Sequence, residues 1–141
     1  MTFPIGAEAT PPAPFCTSVK VYLEDTDAQG IVYHANYLKF FERARTDYLE
    51  LHGVGLKAAQ ERGYRFVVYS IDIKFQRQAV LGDRLDITTL VTGKSPFRLG
   101  FQQKATRPDE PTPISVAKVD VVCIGPDGQL CEIPEGLIRL V

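Results

Sequence analysis

The chain has 141 residues, a length that suits one domain with a single core. Hydrophobic residues make up 45% of the chain, charged residues make up 23%, and the formal net charge is −1. This near-neutral balance argues against a nucleic-acid or membrane-surface partner, and no apolar run approaches the roughly 20 residues of a membrane-spanning helix.

Residues 1–14 are rich in Pro, Ala and Gly and show no hydrophobic period. This composition predicts a flexible tail, followed by one domain over residues 15–141. The tail lacks the basic start and the apolar core of a signal peptide. The three cysteines, Cys16, Cys123 and Cys131, have no metal-ligand spacing. We therefore expect reduced, small buried side chains in a cytoplasmic protein.

A strand and a long helix are the first predicted elements. Residues 15–24 alternate, with Val19, Val21 and Leu23 on one side, which is typical of a strand. Residues 35–52 follow helical spacing, and Gly53 is a suitable C-terminal stop. The predicted apolar stripe of this helix consists of Tyr37, Phe40, Phe41, Ala44, Tyr48 and Leu51. The predicted charged positions are Lys39, Glu42, Arg43, Arg45, Asp47 and Glu50. A short second helix is predicted over residues 56–62.

The rest of the chain is predicted as consecutive strands. Alternating patterns cover residues 66–75, 85–91, 97–106 and 114–124, and a last strand runs from residue 129 to Val141 with Pro134 interrupting it. Short turns between consecutive strands favour an antiparallel sheet, and the long helix must bury its stripe against that sheet. The predicted class is therefore α+β. A sheet edge would stay exposed, which favours a homodimer or homotetramer.

Residues 24–37 carry the strongest chemical signal in the sequence. Asp27 lies just before a Gln29-Gly30 turn, and the chain then passes His34 as it enters the long helix. A helix N-terminus has free backbone N–H groups and a partial positive charge. A carboxylate beside such a terminus would point at the place where a polarised carbonyl group could lie. This layout suits acyl transfer or hydrolysis.

The same segment resembles the signature of the hotdog-fold acyl-CoA thioesterases. The matching pattern is Asp25-Thr26-Asp27-x-x-Gly30-x-Val32-Tyr33-His34-x-Asn36-Tyr37. It is most similar to the 4-hydroxybenzoyl-CoA thioesterase branch, which includes the Tol–Pal-associated (YbgC-type) enzymes. The likeness continues in residues 41–45, 63–68, 82–85 and 133–135. The resemblance implies a hotdog fold, an antiparallel sheet wrapped around one long central helix.

Roles for individual residues also follow from this resemblance. It implies that Asp27 is the catalytic nucleophile or general base, and that the backbone N–H of His34 helps to polarise the thioester carbonyl. It further implies that the substrate-binding positions include Gly30, Val32 and Tyr33. The acyl group would arrive on coenzyme A or on an acyl carrier protein. No metal or bound cofactor is implied.

The pattern alone supports simpler roles for the same residues. Asp27 also suits a turn that caps backbone amides, and the imidazole of His34 suits either a structural role or proton transfer. We predict that Asp25 is structural and hydrogen-bonds the turn. Asn36 is predicted to cap the helix, and Gly30 suits a sharp reversal of the chain.

Other function classes stay open at this point. The protein could bind an acyl-CoA or acyl carrier protein without hydrolysis, or release an acyl chain from a carrier protein within one pathway. A scaffold in an envelope complex is suggested by analogy alone. The carboxylate of Asp27 favours the enzyme, because a binding module does not need it.

Two features leave the substrate open. No phosphate-cradling glycine loop is present, so the phosphates of coenzyme A would fall to scattered basic residues, namely Arg77, Lys94, Arg98, Lys104 and Arg107. Residues 76–82 also lack the proline expected in this branch. Because that run is expected to border the acyl pocket, aromatic acyl groups and short to medium aliphatic ones both remain possible.

Overall fold

The alternating and helical patterns of the sequence become five strands and two helices in the computed structural model, which describes residues 14–134. The elements are β1 (Phe15–Lys20), a 3-10 turn (Leu23–Asp25), α1 (His34–Leu51), α2 (Leu56–Glu61), β2 (Arg65–Phe75), β3 (Arg84–Lys94), β4 (Arg98–Thr106) and β5 (Ser115–Ile124). The predicted tail over residues 1–14 lies, apart from Pro14, outside the described residues. The expected α+β class with an antiparallel sheet is confirmed.

The sheet is antiparallel throughout, with the strand order β1-β3-β4-β5-β2. β2 and β3 are consecutive in sequence, yet they do not pair, because β2 crosses to the far edge and pairs with β5. The alternation of apolar residues within a strand does not predict this crossover, because it does not indicate which strands pair. Because of the crossover β2 is an edge strand, and of its alternating apolar residues Tyr69, Ile71 and Phe75 are exposed while Ile73 is half-buried.

α1 lies against one face of the sheet and buries most of its predicted stripe. The core residues of the stripe, each at most 3% exposed, are Tyr37, Phe40, Phe41, Ala44 and Tyr48. Leu51 was predicted in this stripe, but it is 68% exposed and Leu49 is buried instead. The helix ends at Leu51 and the chain reverses at Gly53, whose φ is +83°. The side chain of Leu51 therefore has no sheet beneath it.

Arg45 is one of the charged positions named on α1, but unlike an ordinary surface charge it is buried. Its guanidinium is buried, and its Nη1 donates a hydrogen bond to Oε1 of Gln103 at 2.8 Å. Gln103 Nε2 in turn donates to the carbonyl of Phe41 and to Oγ1 of Thr89. Burial lowers the pKa of Arg45. Helical periodicity cannot show that a polar residue of a facing strand will satisfy a buried charge.

The predicted strand boundaries need two corrections. β1 ends at Lys20 instead of residue 24, because a 3-10 turn bends the chain and leaves Leu23 74% exposed. No strand follows β5 within the described residues, where Leu130 forms only an isolated bridge with Ile124. Residues 135–141 of the predicted last strand lie outside them.

The cysteines only partly follow the prediction of small buried side chains. All three are free thiols; Cys123 is buried, Cys131 is half-buried and Cys16 is exposed. The Sγ atoms of Cys123 and Cys131 lie 3.3 Å apart. Burial, together with the hydrogen bond from Cys131, raises the pKa of Cys123 to about 12. Among the described helices, none has the length and apolarity to cross a membrane.

Candidate active site

A short two-stranded hairpin over residues 25–33 carries the predicted catalytic residues. The backbone N–H of Tyr33 donates to the carbonyl of Asp25 at 2.8 Å, and that of Asp27 donates to the carbonyl of Ile31 at 3.0 Å. Between these two bonds, Thr26 and Val32 form an antiparallel bridge. The hairpin therefore runs from the 3-10 turn into α1, and it fixes Asp27 relative to the first turn of the helix.

Asp25 holds the base of this hairpin. Its Oδ2 accepts a hydrogen bond from the backbone N–H of Tyr22 at 2.9 Å, and its Oδ1 accepts one from Nδ2 of Asn36 at 2.9 Å. Both Asp25 and Asn36 are 8% exposed. These bonds agree with the predicted structural role of Asp25. Asn36 was predicted to cap the helix, but it lies inside the first turn and binds Asp25, while the N-cap position is Tyr33.

Asp27 lies at the tip of the hairpin and is half-buried. Its Oδ1 accepts a hydrogen bond from the backbone N–H of Gln29 at 2.8 Å, the short-range turn that aspartate commonly forms. In the part of the chain that the structure describes, its Oδ2 has no hydrogen-bond donor. Asp27 therefore makes the hydrogen bond expected of a structural turn aspartate, and its Oδ2 is still available to react with a substrate or a water molecule.

Gly30 closes the turn in a conformation that glycine adopts more readily than other residues. Its φ is +78°, and its N–H donates to the carbonyl of Asp27 at 2.9 Å. A Cβ at this position would meet no atom within 4 Å. The demand for glycine therefore comes from the backbone conformation, as the sequence predicted, and not from crowding within the chain.

α1 begins at His34 with backbone donors that the protein leaves unused. Tyr33 provides no side-chain cap, and no acceptor among residues 14–134 receives the N–H groups of His34 and Ala35. The imidazole of His34 is exposed and lies 4.6 Å, between ring centroids, from the ring of Tyr33. Its centroid lies 6.0 Å from that of Phe75, with the two rings edge to face. The helix start therefore combines free donors with an exposed aromatic surface.

The two remaining predicted substrate-binding residues differ in access. Tyr33 is 44% exposed, so its ring is available to a ligand. Val32 is 3% exposed and belongs to the core, and its backbone N–H donates to the carbonyl of Ala79 at 2.8 Å. Its side chain therefore offers almost no surface to a substrate, and Val32 connects the hairpin to the loop over residues 76–83.

Sequence reasoning missed the residues that surround the hairpin. Phe75 ends β2 beside His34, and its ring centroid lies 5.7 Å from that of Tyr37. Burial raises the pKa of Tyr37, and the backbone of Ala79 contacts its hydroxyl. The loop over residues 76–83 also bridges to the hairpin through Ile31 and Val80. The turn at residues 82–83 was visible in the sequence, but nothing local in the sequence indicates that it packs beside residue 31.

The basic residues proposed for coenzyme A phosphates are mostly engaged elsewhere. Arg77 pairs with Glu110 at 3.3 Å, Arg107 pairs with Asp83 at 2.9 Å, and Arg98 lies 4.0 Å from Asp120. Lys104 lines a cavity of about 460 Å³. The side chain of Lys94 is outside the described part of the chain. Among the described side chains of residues 14–134, no hydrogen bond or ion pair joins these residues to Asp27.

That cavity is lined mainly by residues of β2, β3, β4 and β5, and no residue of the hairpin lines it. Its lining residues include Asp72, Lys74, Lys104, Val116 and Lys118. No group of three or more His, Cys, Asp or Glu side chains within residues 14–134 is arranged to hold a metal ion. The candidate site is therefore an open surface around Asp27, His34 and Phe75.

Comparison with known proteins matches this architecture. The model of the Thioesterase-like superfamily matches residues 21–140. The chain is 41% identical over 108 residues to the acyl-CoA thioester hydrolase YbgC of Escherichia coli O6:H1, covering 77% of this chain and 80% of that protein. It is 40% identical over 111 residues to the acyl-CoA thioesterase YbgC of Haemophilus influenzae, covering 78% and 80%.

A solved structure shares the fold. The crystal structure of a 1,4-dihydroxy-2-naphthoyl-CoA thioesterase from Synechocystis superposes with a TM-score of 0.84. The superposition covers 90% of this chain and 94% of that one, at 23% sequence identity. The two proteins therefore share one overall fold.

Proposed function

Because the chain belongs to the Thioesterase-like superfamily and is an acyl-CoA thioesterase with a hotdog fold, we propose that Asp27 supplies the catalytic carboxylate and that the first turn of α1 receives the oxyanion. One observation carries the proposal: the same hairpin presents a half-buried carboxylate at its tip and leads into a helix whose first N–H groups have no acceptor in the described chain.

The spacing along the hairpin leaves room for a thioester group. Asp27 is paired with Ile31, and Tyr33 lies two residues further along the same strand. From ordinary strand dimensions, the backbones of Asp27 and Tyr33 are roughly 8 Å apart. A carbonyl carbon near the carboxylate can then direct its oxygen toward the N–H groups of His34 and Ala35. Such donors stabilise the charge that develops on that oxygen in the transition state.

The proposed reaction has two forms that share one outcome. Asp27 either attacks the thioester carbonyl and forms an anhydride that water hydrolyses, or accepts a proton from a water molecule that attacks the carbonyl. In both forms the carbonyl oxygen becomes negative and the C–S bond breaks. Coenzyme A leaves as its thiolate, and water supplies the oxygen of the free acid.

The aromatic surface beside the helix start favours acyl groups that can pack on rings. Tyr33, His34 and Phe75 lie together and are all exposed. Aromatic side chains provide large apolar contact area to both aryl and aliphatic groups. A panel of aromatic and short to medium aliphatic thioesters is therefore the substrate range to test.

We expect the purified protein to release a thiol from one or more acyl-CoA esters in the presence of a chelator. The measurement is a thiol-release assay over that panel, with acyl carrier protein thioesters alongside. A complete panel without release above background would contradict the proposal. Activity that disappears on chelation and returns only with a divalent metal would contradict the mechanism.

We further propose that the active protein is a homodimer formed through β2. This strand ends the sheet, so one of its edges has no partner strand in the described chain. It carries a run of exposed apolar side chains: Val67, Val68, Tyr69, Ile71 and Phe75. An unpaired, apolar edge strand is a ready site for pairing with another chain. A second copy paired there would also cover the open side of Phe75, next to His34.

A charge on this edge should separate the subunits. We expect sedimentation to show a dimer at micromolar concentration for the wild-type protein, and a large shift toward monomer for Ile71→Lys, together with loss of thioesterase activity. Leu130→Lys is the matched control, because Leu130 is also apolar and 55% exposed but bridges to Ile124 of β5 and is not part of β2. A fully active wild-type monomer would contradict a site shared between subunits.

A further inference from the structure

The loop over residues 76–83, which joins β2 to β3, is bonded to the candidate catalytic hairpin itself and to the chain just before it. Within the hairpin, the N–H of Val32 donates to the carbonyl of Ala79 at 2.8 Å. Ahead of the hairpin, the N–H of Gly82 donates to the carbonyl of Val21 at 3.0 Å, and the N–H of Val21 donates to the carbonyl of Asp83 at 2.8 Å. Any displacement of this loop therefore moves the backbone that carries Asp27 and His34.

Arg107 connects this loop to the end of β4. Its Nη2 donates to the carbonyl of Gln78 at 2.6 Å and to Oδ2 of Asp83 at 2.9 Å, while its Nε donates to the same oxygen at 3.2 Å. That oxygen also accepts the backbone N–H of Val80 at 2.9 Å. The guanidinium of Arg107 thus connects residues 78 and 83, and Asp83 connects in turn to residue 80. The side chains of Arg107 and Asp83 are each 22% exposed.

The loop depends on such contacts because its own sequence is not stiff. It contains no proline, and its next-to-last residue is Gly82, whose φ is +87°. Proline restricts the backbone and glycine loosens it. Val80 and Leu81 of the loop are 43% and 57% exposed, and the one fully buried apolar side chain of the loop is the methyl group of Ala79. Burial of so small a group contributes little to holding the loop.

From these contacts we infer that Arg107 is a positioning residue for the thioesterase reaction. It holds the loop over residues 76–83 against the catalytic hairpin and so keeps Asp27 and the first turn of α1 at their working separation. Arg107 contacts neither Asp27 nor the first turn of α1. It acts on them through Asp83, Ala79 and Val32. The inference rests on the proposed function of the hairpin, and it assigns Arg107 to the catalytic scaffold instead of to the phosphates of coenzyme A.

Arginine suits this task better than lysine would. Its planar guanidinium places several donors in a fixed fork, which matches one carboxylate oxygen and one neighbouring carbonyl at the same time. A lysine keeps the positive charge but has no such fork. Arg107→Lys therefore separates the effect of charge from the effect of geometry.

The test measures activity and local opening in the same variants of the full chain. We expect Arg107→Gln to lower kcat by about 10-fold or more, since small displacements of reacting groups are costly, while KM changes less than about threefold. The kcat of Arg107→Lys should lie between that of Arg107→Gln and that of the wild type. Asp83→Asn should resemble Arg107→Gln, and the double variant should be little worse than either single variant because both remove one interaction.

Amide hydrogen exchange provides a readout that does not depend on turnover. In Arg107→Gln the N–H of Val32, which is bonded to the loop, should exchange about 10-fold faster, whereas the amides of Phe101 in β4 should keep their wild-type protection. Asp120→Asn is the matched control. Asp120 lies in β5, is 39% exposed and pairs with Arg98 of β4 at 4.0 Å, so its loss should leave both kcat and the Val32 exchange rate unchanged.

The outcomes distinguish this inference from the proposed function. A wild-type protein that hydrolyses no thioester contradicts the proposed function, while the exchange experiment still tests the attachment of the loop. An active wild type together with an Arg107→Gln variant of unchanged kcat overturns the positioning role. Equal loss of protection at Val32 and Phe101 also overturns it, because the variant would then weaken the fold as a whole.

Discussion

Replacement of Asp27 by asparagine is expected to reduce thioester hydrolysis by roughly 100-fold or more, in line with the usual contribution of a catalytic carboxylate. Asparagine removes the negative charge that attack or proton transfer requires. It keeps the Oδ1 atom that accepts the hydrogen bond from the backbone N–H of Gln29. The turn should therefore survive, and the melting temperature should stay within about 2 °C of the wild-type value.

The decisive measurement for this variant is turnover per folded molecule. Rates from the thiol-release assay are divided by the folded fraction from thermal unfolding, and acyl-CoA binding is measured directly. We expect a folded protein that binds acyl-CoA and turns it over slowly. Wild-type turnover by folded Asp27→Asn would refute the catalytic role, and the Asx-type turn would then be the whole function of Asp27.

Replacement of Asp25 by asparagine is expected to have the opposite effect. The carboxylate of Asp25 accepts hydrogen bonds from two donors, the backbone N–H of Tyr22 and Nδ2 of Asn36, and the site is buried. Asparagine offers one acceptor oxygen and turns an N–H₂ group toward the other donor. A buried unsatisfied donor costs about 1–3 kcal/mol, so the melting temperature should fall by roughly 5–10 °C.

A charge-relocating variant provides the control for this second experiment. In the combination Asp25→Asn with Asn36→Asp, the new carboxylate at position 36 accepts from the new amide at position 25. The amide oxygen at position 25 accepts from Tyr22. A carboxylate in the first turn of α1 is also favoured by the helix dipole. We expect the pair to regain most of the lost stability; failure to regain any would mean that the bond between these two residues does not hold the hairpin.

The two variants together separate the neighbouring acids by role. Asp27→Asn should lose rate and keep stability, whereas Asp25→Asn should lose stability and keep turnover per folded molecule. The difference follows from their surroundings: Asp25 uses both oxygens for buried bonds, and Asp27 uses one oxygen at a half-buried turn.

Most of the elements could be predicted from the sequence alone, and a local motif supports the proposed position of the chemistry. Spacing of apolar residues predicted α1 to within one residue at each end and the buried face of β3, where Leu85, Ile87 and Thr89 are fully buried. The motif over residues 25–37 located the hairpin and the helix start. Such patterns are local, because a repeat of 3.6 residues in a helix or of two residues in a strand indicates only which face of that element is buried.

Which elements meet depends on the packing of the whole fold. Three features join residues distant in sequence: the crossover that puts β2 at the edge of the sheet, the burial of Arg45 on Gln103, and the bonding of residues 76–83 both to Arg107 and to the hairpin. No period in the chain encodes such a pairing. The physical reason is that a buried polar group or an unpaired strand edge must find its partner somewhere in the folded chain or in another molecule, and the choice depends on the three-dimensional packing of all the elements.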